Sequence, residues 1–233
     1  DGSEWTLYRL HDMGIDAGYI NAIWGTSSSN MYFVGRKGSI VHYDGNEFVK
    51  MKSGTNVDLV DITGTPDGEH VFVTGYTISG VLAGHSIVLS LIDGNWNTLY
   101  TDEGYWPEND STGAVLGTYV YEDTVYFSRR GGFWKYNYLT KESNIIPANS
   151  NGYGEHGFGQ IIVDDINNIF FQDGGFSFLH FNGTSWNIDV SINDLYGWSG
   201  LMGYGFDYYN EMVVMVGCYN CSYGRSIVVK GFR

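Results

Sequence analysis

Short apolar runs separated by short polar breaks fill the chain. Residues 20–54 read INAIWGTSSSNMYFVGRKGSIVHYDGNEFVKMKSG. Four runs stand out in that stretch, INAIWG, MYFVG, SIVHY and EFVKM, parted by TSSSN, RKG and DGN. Runs rich in β-branched and aromatic residues predict strands, and connectors of Ser, Asn, Asp and Gly predict tight turns. Four strands in about 35 residues predict one small antiparallel sheet.

The second run recurs along the chain. It appears as Met31 to Gly35, Val71 to Gly75, Val125 to Ser128, Ile169 to Gln172 and Val213 to Gly217, with starts 40, 54, 44 and 44 residues apart. The turn before the outer strand recurs too, as Asp44-Gly45, Asp93-Gly94 and Asn182-Gly183, each followed by an aromatic residue at Phe48, Trp96 or Trp186. The third unit departs from this with Tyr136-Asn-Tyr-Leu-Thr140. Five such units at about 47 residues each match the period of a propeller blade. The pattern predicts an all-β, five-bladed β-propeller with four-stranded antiparallel blades, as one domain over 1–233. The blades fall at about 20–54, 57–102, 112–147, 158–191, and 198–233 plus 1–10.

That last assignment rests on the termini. Asp1-Gly-Ser-Glu-Trp5-Thr-Leu-Tyr-Arg-Leu10 repeats the turn and outer strand with no blade before it, while the fifth unit stops without an outer strand. Pairing of residues 4–10 with residues 226–232 is therefore expected to close the ring and cover an edge.

Ile23-Trp-Gly25, Asn30-Met-Tyr-Phe-Val-Gly35 and Gly38-Ser-Ile-Val-His-Tyr-Asp-Gly45 resemble a family of bacterial propeller repeats of the form VWGSSxxDVYAVGxxGxIxHYDGxxW. The resemblance implies a propeller in an exported bacterial protein and carries over no catalytic residue. A mature form whose export signal has been removed would begin as this chain does, and so would a domain cut from a longer protein. A secreted or surface-anchored location, with a lipid tether upstream of residue 1 as one route, fits both.

Composition narrows the partners. The formal charge is −14, from 26 acidic and 12 basic residues, which disfavours nucleic acid and anionic membrane surfaces. No apolar run approaches the roughly 20 residues needed to span a bilayer. Cys218-Tyr-Asn-Cys221 is the one cysteine pair; a short-loop disulfide in an oxidising compartment is expected, with free thiols as the other reading.

In a four-stranded blade, the links between blades and the turns between strands two and three reach the same face. Those links hold Tyr19, Tyr105, Trp106, Tyr153, His156, Tyr196 and Trp198, and the turns hold Arg36, Lys37, Arg129, Arg130 and Arg225. Aromatic rings with polar edges suit sugar faces and protein hot spots. Packing between blades, or plugging of the channel, is the other reading of the same residues. The basic residues would hold an anionic group, or pair with the acids of neighbouring links.

Catalysis has weaker support. Asp61 and Asp164, with Asp58 and Asp165 beside them, are the carboxylates on inner strands that a glycoside hydrolase could use. Asp164 to Asn168 also reads as a polar turn. His42 and His180 hold the same repeat position and read as structural. No cofactor or metal site is expected; Asp12 and Asp16 offer oxygens at too low a density for a dedicated calcium loop. The reading is a non-catalytic recognition or scaffold module for a glycan, a peptide or an envelope subunit. A glycan-processing hydrolase is the alternative.

Overall fold

The computed structural model describes residues 4–77, 84–102, 114–129, 132–147, 159–173, 177–191, 201–219 and 225–232. They form five antiparallel sheets, the five-bladed propeller expected. The first sheet holds β1 (Ile20–Ser27), β2 (Asn30–Gly35), β3 (Ser39–Tyr43) and β4 (Phe48–Met51) in sequence order. The second holds β5 (Leu59–Gly64), β6 (Val71–Tyr76), β7 (Ser86–Ile92) and β8 (Asn95–Asp102). The third holds β9 (Val115–Tyr121), β10 (Thr124–Arg129), β11 (Gly132–Asn137) and β12 (Ser143–Pro147). The fourth holds β13 (Ile161–Asp165), β14 (Asn168–Asp173), β15 (Ser177–Phe181) and β16 (Trp186–Ser191). The fifth has three strands among the described residues, β17 (Leu201–Tyr209), β18 (Met212–Tyr219) and β19 (Arg225–Phe232).

The recurring second-strand block is apolar at successive positions because both its faces are buried. Val71 and Val73 face the first sheet, in a core with Val34 and Ile40, whereas Phe72 faces the third, in a core with Val125 and Phe127. Tyr126 then turns to the fourth sheet with Ile169 and Phe171, and Phe170 to the fifth with Phe206 and Met215. Period-two alternation thus builds four buried interfaces from one sequence signature.

The turn chemistry follows the same logic. Gly45, Gly94 and Gly183 all take positive φ, at 97°, 73° and 87°. The divergent third unit closes its turn differently: the Asn137 Oδ1 accepts the backbone N–H of Leu139 and of Thr140, and Lys141 takes the left-handed conformation.

The predicted closure is not what the structure has. Residues 4–9 form no strand, and β19 has β18 as its one neighbour among the described residues. The Tyr8 ring instead packs on Phe48 at 5.2 Å and Tyr43 at 6.3 Å, on the outer part of the first sheet. A single 3-10 turn, Leu10–Met13, follows and ends at Gly14 with φ 77°. Trp5, expected in an outer strand, is 94% exposed. Aromatic packing on the first blade outweighs the local turn-and-strand pattern here.

Polar latches fasten neighbouring blades. Asn21 Nδ2 donates to Leu59 O at 2.7 Å, Thr74 Oγ1 to Leu116 O at 2.7 Å, and Ser128 Oγ to Gly159 O at 2.6 Å. Ser128 also accepts the Gly117 N–H at 2.7 Å and is fully buried. Ser128→Ala strands that N–H, so a loss of about 1–3 kcal/mol is expected in urea unfolding, with the fold retained by circular dichroism.

Candidate functional site

Two regions compete for function, the face of the inter-blade links and the axial channel. On the link face, Tyr19 ends the first link and Arg36 opens the β2–β3 turn. Gly35 lets them meet: a Cβ there would lie 1.9 Å from the Tyr19 carbonyl oxygen. The Arg36 N–H donates to that same oxygen at 2.9 Å. The guanidinium then sits over the Tyr19 ring, 4.8 Å from its centre. Both side chains are exposed, Tyr19 to 71%. Lys37 adds a second exposed cation, its backbone N–H tied to Asp58 Oδ1 at 2.9 Å. Arg36 and Lys37 form no salt bridge with another described residue.

Arg129 is not open to solvent as Arg36 is. It closes β10 and is buried, near enough to Tyr100 for its charge to act on that hydroxyl. Burial, then the Asp102 carboxylate, push that hydroxyl up to about 12. Arg225 opens β19 opposite Tyr219. Tyr105, Trp106, Tyr153, His156, Tyr196, Trp198, Arg130 and Cys221 lie outside the described residues. Cys218 is buried and disulfide-bonded.

The axial channel contains a cavity of about 350 Å³, walled by the innermost strands of all five sheets. Asp61 lines it and Asp164 does not. Both turn out to occupy repeat positions where other blades use other side chains. Asp61 Oδ2 accepts the Thr118 N–H of the next blade at 2.8 Å, and its Oδ1 accepts Ile62 N–H at 2.9 Å. In the fourth blade Gln160 holds the same place and accepts Phe206 N–H at 2.9 Å. A neutral amide therefore does the latch work of the carboxylate.

Asp164 is exposed and accepts from Asn168 Nδ2 at 2.8 Å, and Asn168 Oδ1 meets His180 Nε2 at 2.8 Å. In the first blade Thr26, Asn30 and His42 form the same chain, at 3.0 and 2.9 Å. The two histidines also stack alike, on Tyr32 and on Phe170. They are hairpin braces, as their repeat position predicted. Asp165 caps the adjacent turn through Asn167 N–H at 2.8 Å. Sequence reasoning missed Asp207, the second carboxylate on the cavity. Its signal was faint: Asp207 lies six residues before Val213, in a Gly- and Tyr-rich strand that lacks the usual apolar block.

Burial pushes the Asp61 carboxyl up to about 7, although its two N–H bonds pull the other way. Tyr119, also on the cavity wall, holds its proton above the ordinary tyrosine range, mainly through burial and then through Asp207 and Asp164. No group of three His, Cys, Asp or Glu side chains is placed to hold a metal among the described residues, and there no helix is long and apolar enough to cross a membrane.

No protein-family model matches the chain, and no curated protein matches its sequence. Solved structures do share its architecture. A chain of a nidogen/laminin complex is similar with a TM-score of 0.60 at 10% identity, over 94% of this chain and 82% of that one. A domain described as extracellular, from a hybrid two-component system of B. thetaiotaomicron, scores 0.62 at 15% identity, over 94% of this chain and 29% of its own. A GH74 enzyme of Niastella koreensis scores 0.60 at 9% identity, over 87% of this chain and 33% of its own. The chain thus spans most of the first and about a third or less of the other two. At these identities the likeness shows the propeller fold alone, in company that includes a partner complex, an extracellular domain and an enzyme.

Proposed function

We propose that the propeller is a non-catalytic recognition module working outside the cytoplasm, and that its link face binds a peptide, a glycan or a partner subunit. The observation that carries this reading is the exposed Tyr19–Arg36 pair. A cation held over an open ring presents a flat apolar surface and a fan of N–H donors, features enriched where proteins bind partners. The disulfide at Cys218 fits an oxidising compartment. The nidogen/laminin neighbour supplies precedent for a propeller in a protein complex, and the two-component neighbour for one in an extracellular domain.

The hydrolase alternative loses the Asp61 and Asp164 pair that motivated it. Two catalytic carboxylates must face one reacting bond. Asp61 serves as a latch that Gln160 replaces, and Asp164 braces a hairpin outside the cavity.

The test uses capture from the envelope of the source bacterium together with a glycan array. The wild-type protein is expected to retain a discrete partner or glycan. Tyr19→Ala with Arg36→Ala should cut that retention about tenfold while leaving the thermal midpoint within a few degrees, since both side chains are exposed. Retention unchanged in the double variant would remove the link face from consideration.

A further inference from the structure

The acid and amide oxygens of the channel wall are held by backbone N–H groups and keep acceptor capacity. The Thr118 and Ile62 N–H groups go to Asp61, and the Phe206 N–H goes to Gln160. Each Asp61 oxygen takes one bond, and a carboxylate offers about four acceptor sites, so two remain. Asp207 Oδ1 accepts the neighbouring Tyr208 N–H at 2.8 Å, and Asp207 is exposed. No Lys, Arg or His is among the described residues that line the cavity.

A second observation is independent of the carboxylates. Thr118 lies on the cavity wall and is only 5% exposed, yet its hydroxyl has no hydrogen-bond partner among the described residues. Buried hydroxyls rarely stay unpaired, so this one marks a place where a ligand atom or an ordered water belongs. Trp24 and Tyr119 add aromatic surface to the same wall. Asp207 stands two residues farther along its inner strand than Asp61 does on its own, about 7 Å by strand rise.

We propose that the axial cavity binds an organic cation of the alkylammonium class, with Asp207 and Asp61 as counter-ions, Thr118 as a further acceptor and Trp24 and Tyr119 flanking the alkyl chain. The occupant brings the positive charge that the described wall lacks, and aromatic faces favour an organic cation. A bare metal ion fits less well, since its ligands would come from two blades that are not neighbours and no third acidic or imidazole group joins them among the described residues. The site stands apart from the link face and does not rest on the function proposed for it.

Binding should be linked to protons. Asp61 holds its proton to about pH 7, and the ionisable groups that share the cavity with it among the described residues are Asp207 and Tyr119. A cation beside Asp61 favours the charged carboxylate, so the bound state releases a proton and binds more tightly as pH rises from 6 to 8.

Calorimetric titration of the chain with n-pentylammonium, in phosphate and in Tris at pH 7, tests this. We expect saturable binding, a heat that differs between buffers by the released proton, and about tenfold tighter binding at pH 8 than at pH 6. Asp207→Asn should weaken binding about tenfold, and Asp61→Asn should abolish the buffer and pH dependence. If Asp61→Asn does not fold, Asp207→Asn still decides, because Asp207 is exposed and latches nothing across blades. Equal binding of 1-pentanol, no binding at about 10 mM ligand, or affinity unchanged in Asp207→Asn would overturn the site. Displacement of pentylammonium by calcium at lower concentration would overturn the ligand class. Tyr19→Ala with Arg36→Ala should leave the titration unaltered, which separates this result from the fate of the link face.

Discussion

Phe127→Ala is expected to destabilise the protein by about 3–5 kcal/mol, the cost of deleting a large aromatic side chain from a packed core. Phe127 is fully buried. Its ring lies 4.9 Å from Trp134 and 6.3 Å from Phe72, so it ties the third blade to the second. Such a loss is a large share of the roughly 5–15 kcal/mol that holds a typical domain folded. Urea unfolding followed by tryptophan fluorescence would measure it. A loss below about 1 kcal/mol would mean that the interface between these blades is not packed as described.

The second large effect is a change in pH dependence. The Asp61 carboxyl sits near 3.8 in an unfolded chain and about 7 in the folded one. A raised folded value means that its contribution to stability is full below about pH 4 and is lost as pH rises through 7. At 1.36 kcal/mol per pH unit the loss is about 4 kcal/mol at most, and less where channel water screens the charge. Asp61→Asn cannot titrate. Its unfolding free energy should therefore lose about 2–3 kcal/mol less than wild type between pH 5 and pH 8. Any fixed penalty from an imperfect amide latch shifts both values equally and leaves this difference intact. The turn carboxylates Asp44 and Asp67 act in the other direction: backbone N–H bonds to Asp44, and the Thr65 hydroxyl to Asp67, hold their protonation below the usual range. Their contribution is present at neutral pH and fades in acid. Parallel pH profiles of wild type and Asp61→Asn would show that Asp61 does not titrate in this way.

Much of the blade plan was legible because it is local. Apolar second-strand blocks, Asp-Gly turns and the repeated position of His42 and His180 all lie within a dozen residues or so of their partners, and each reappears in the structure where the sequence places it. The site was less legible because its contacts are distant. The Asp61 latch spans 57 residues and the Gln160 latch 46. Register shifts in β1, β5, β9 and β17 re-aim residues at the channel in a way that no propensity encodes. The N-terminal segment shows the converse failure. Its turn-like sequence matched the repeat well, yet Tyr8 found Phe48 and Tyr43, a choice made by tertiary packing alone.

The outermost strand of the fifth sheet has a bare flank among the described residues, and no buried core there joins that sheet to the first. Ile23 on one side of the seam and Val228 on the other are 56% and 64% exposed. Solvent deuterium should therefore enter β19 long before it reaches β6 or β10, and the circle should come apart at this seam first, as a necklace does at its clasp.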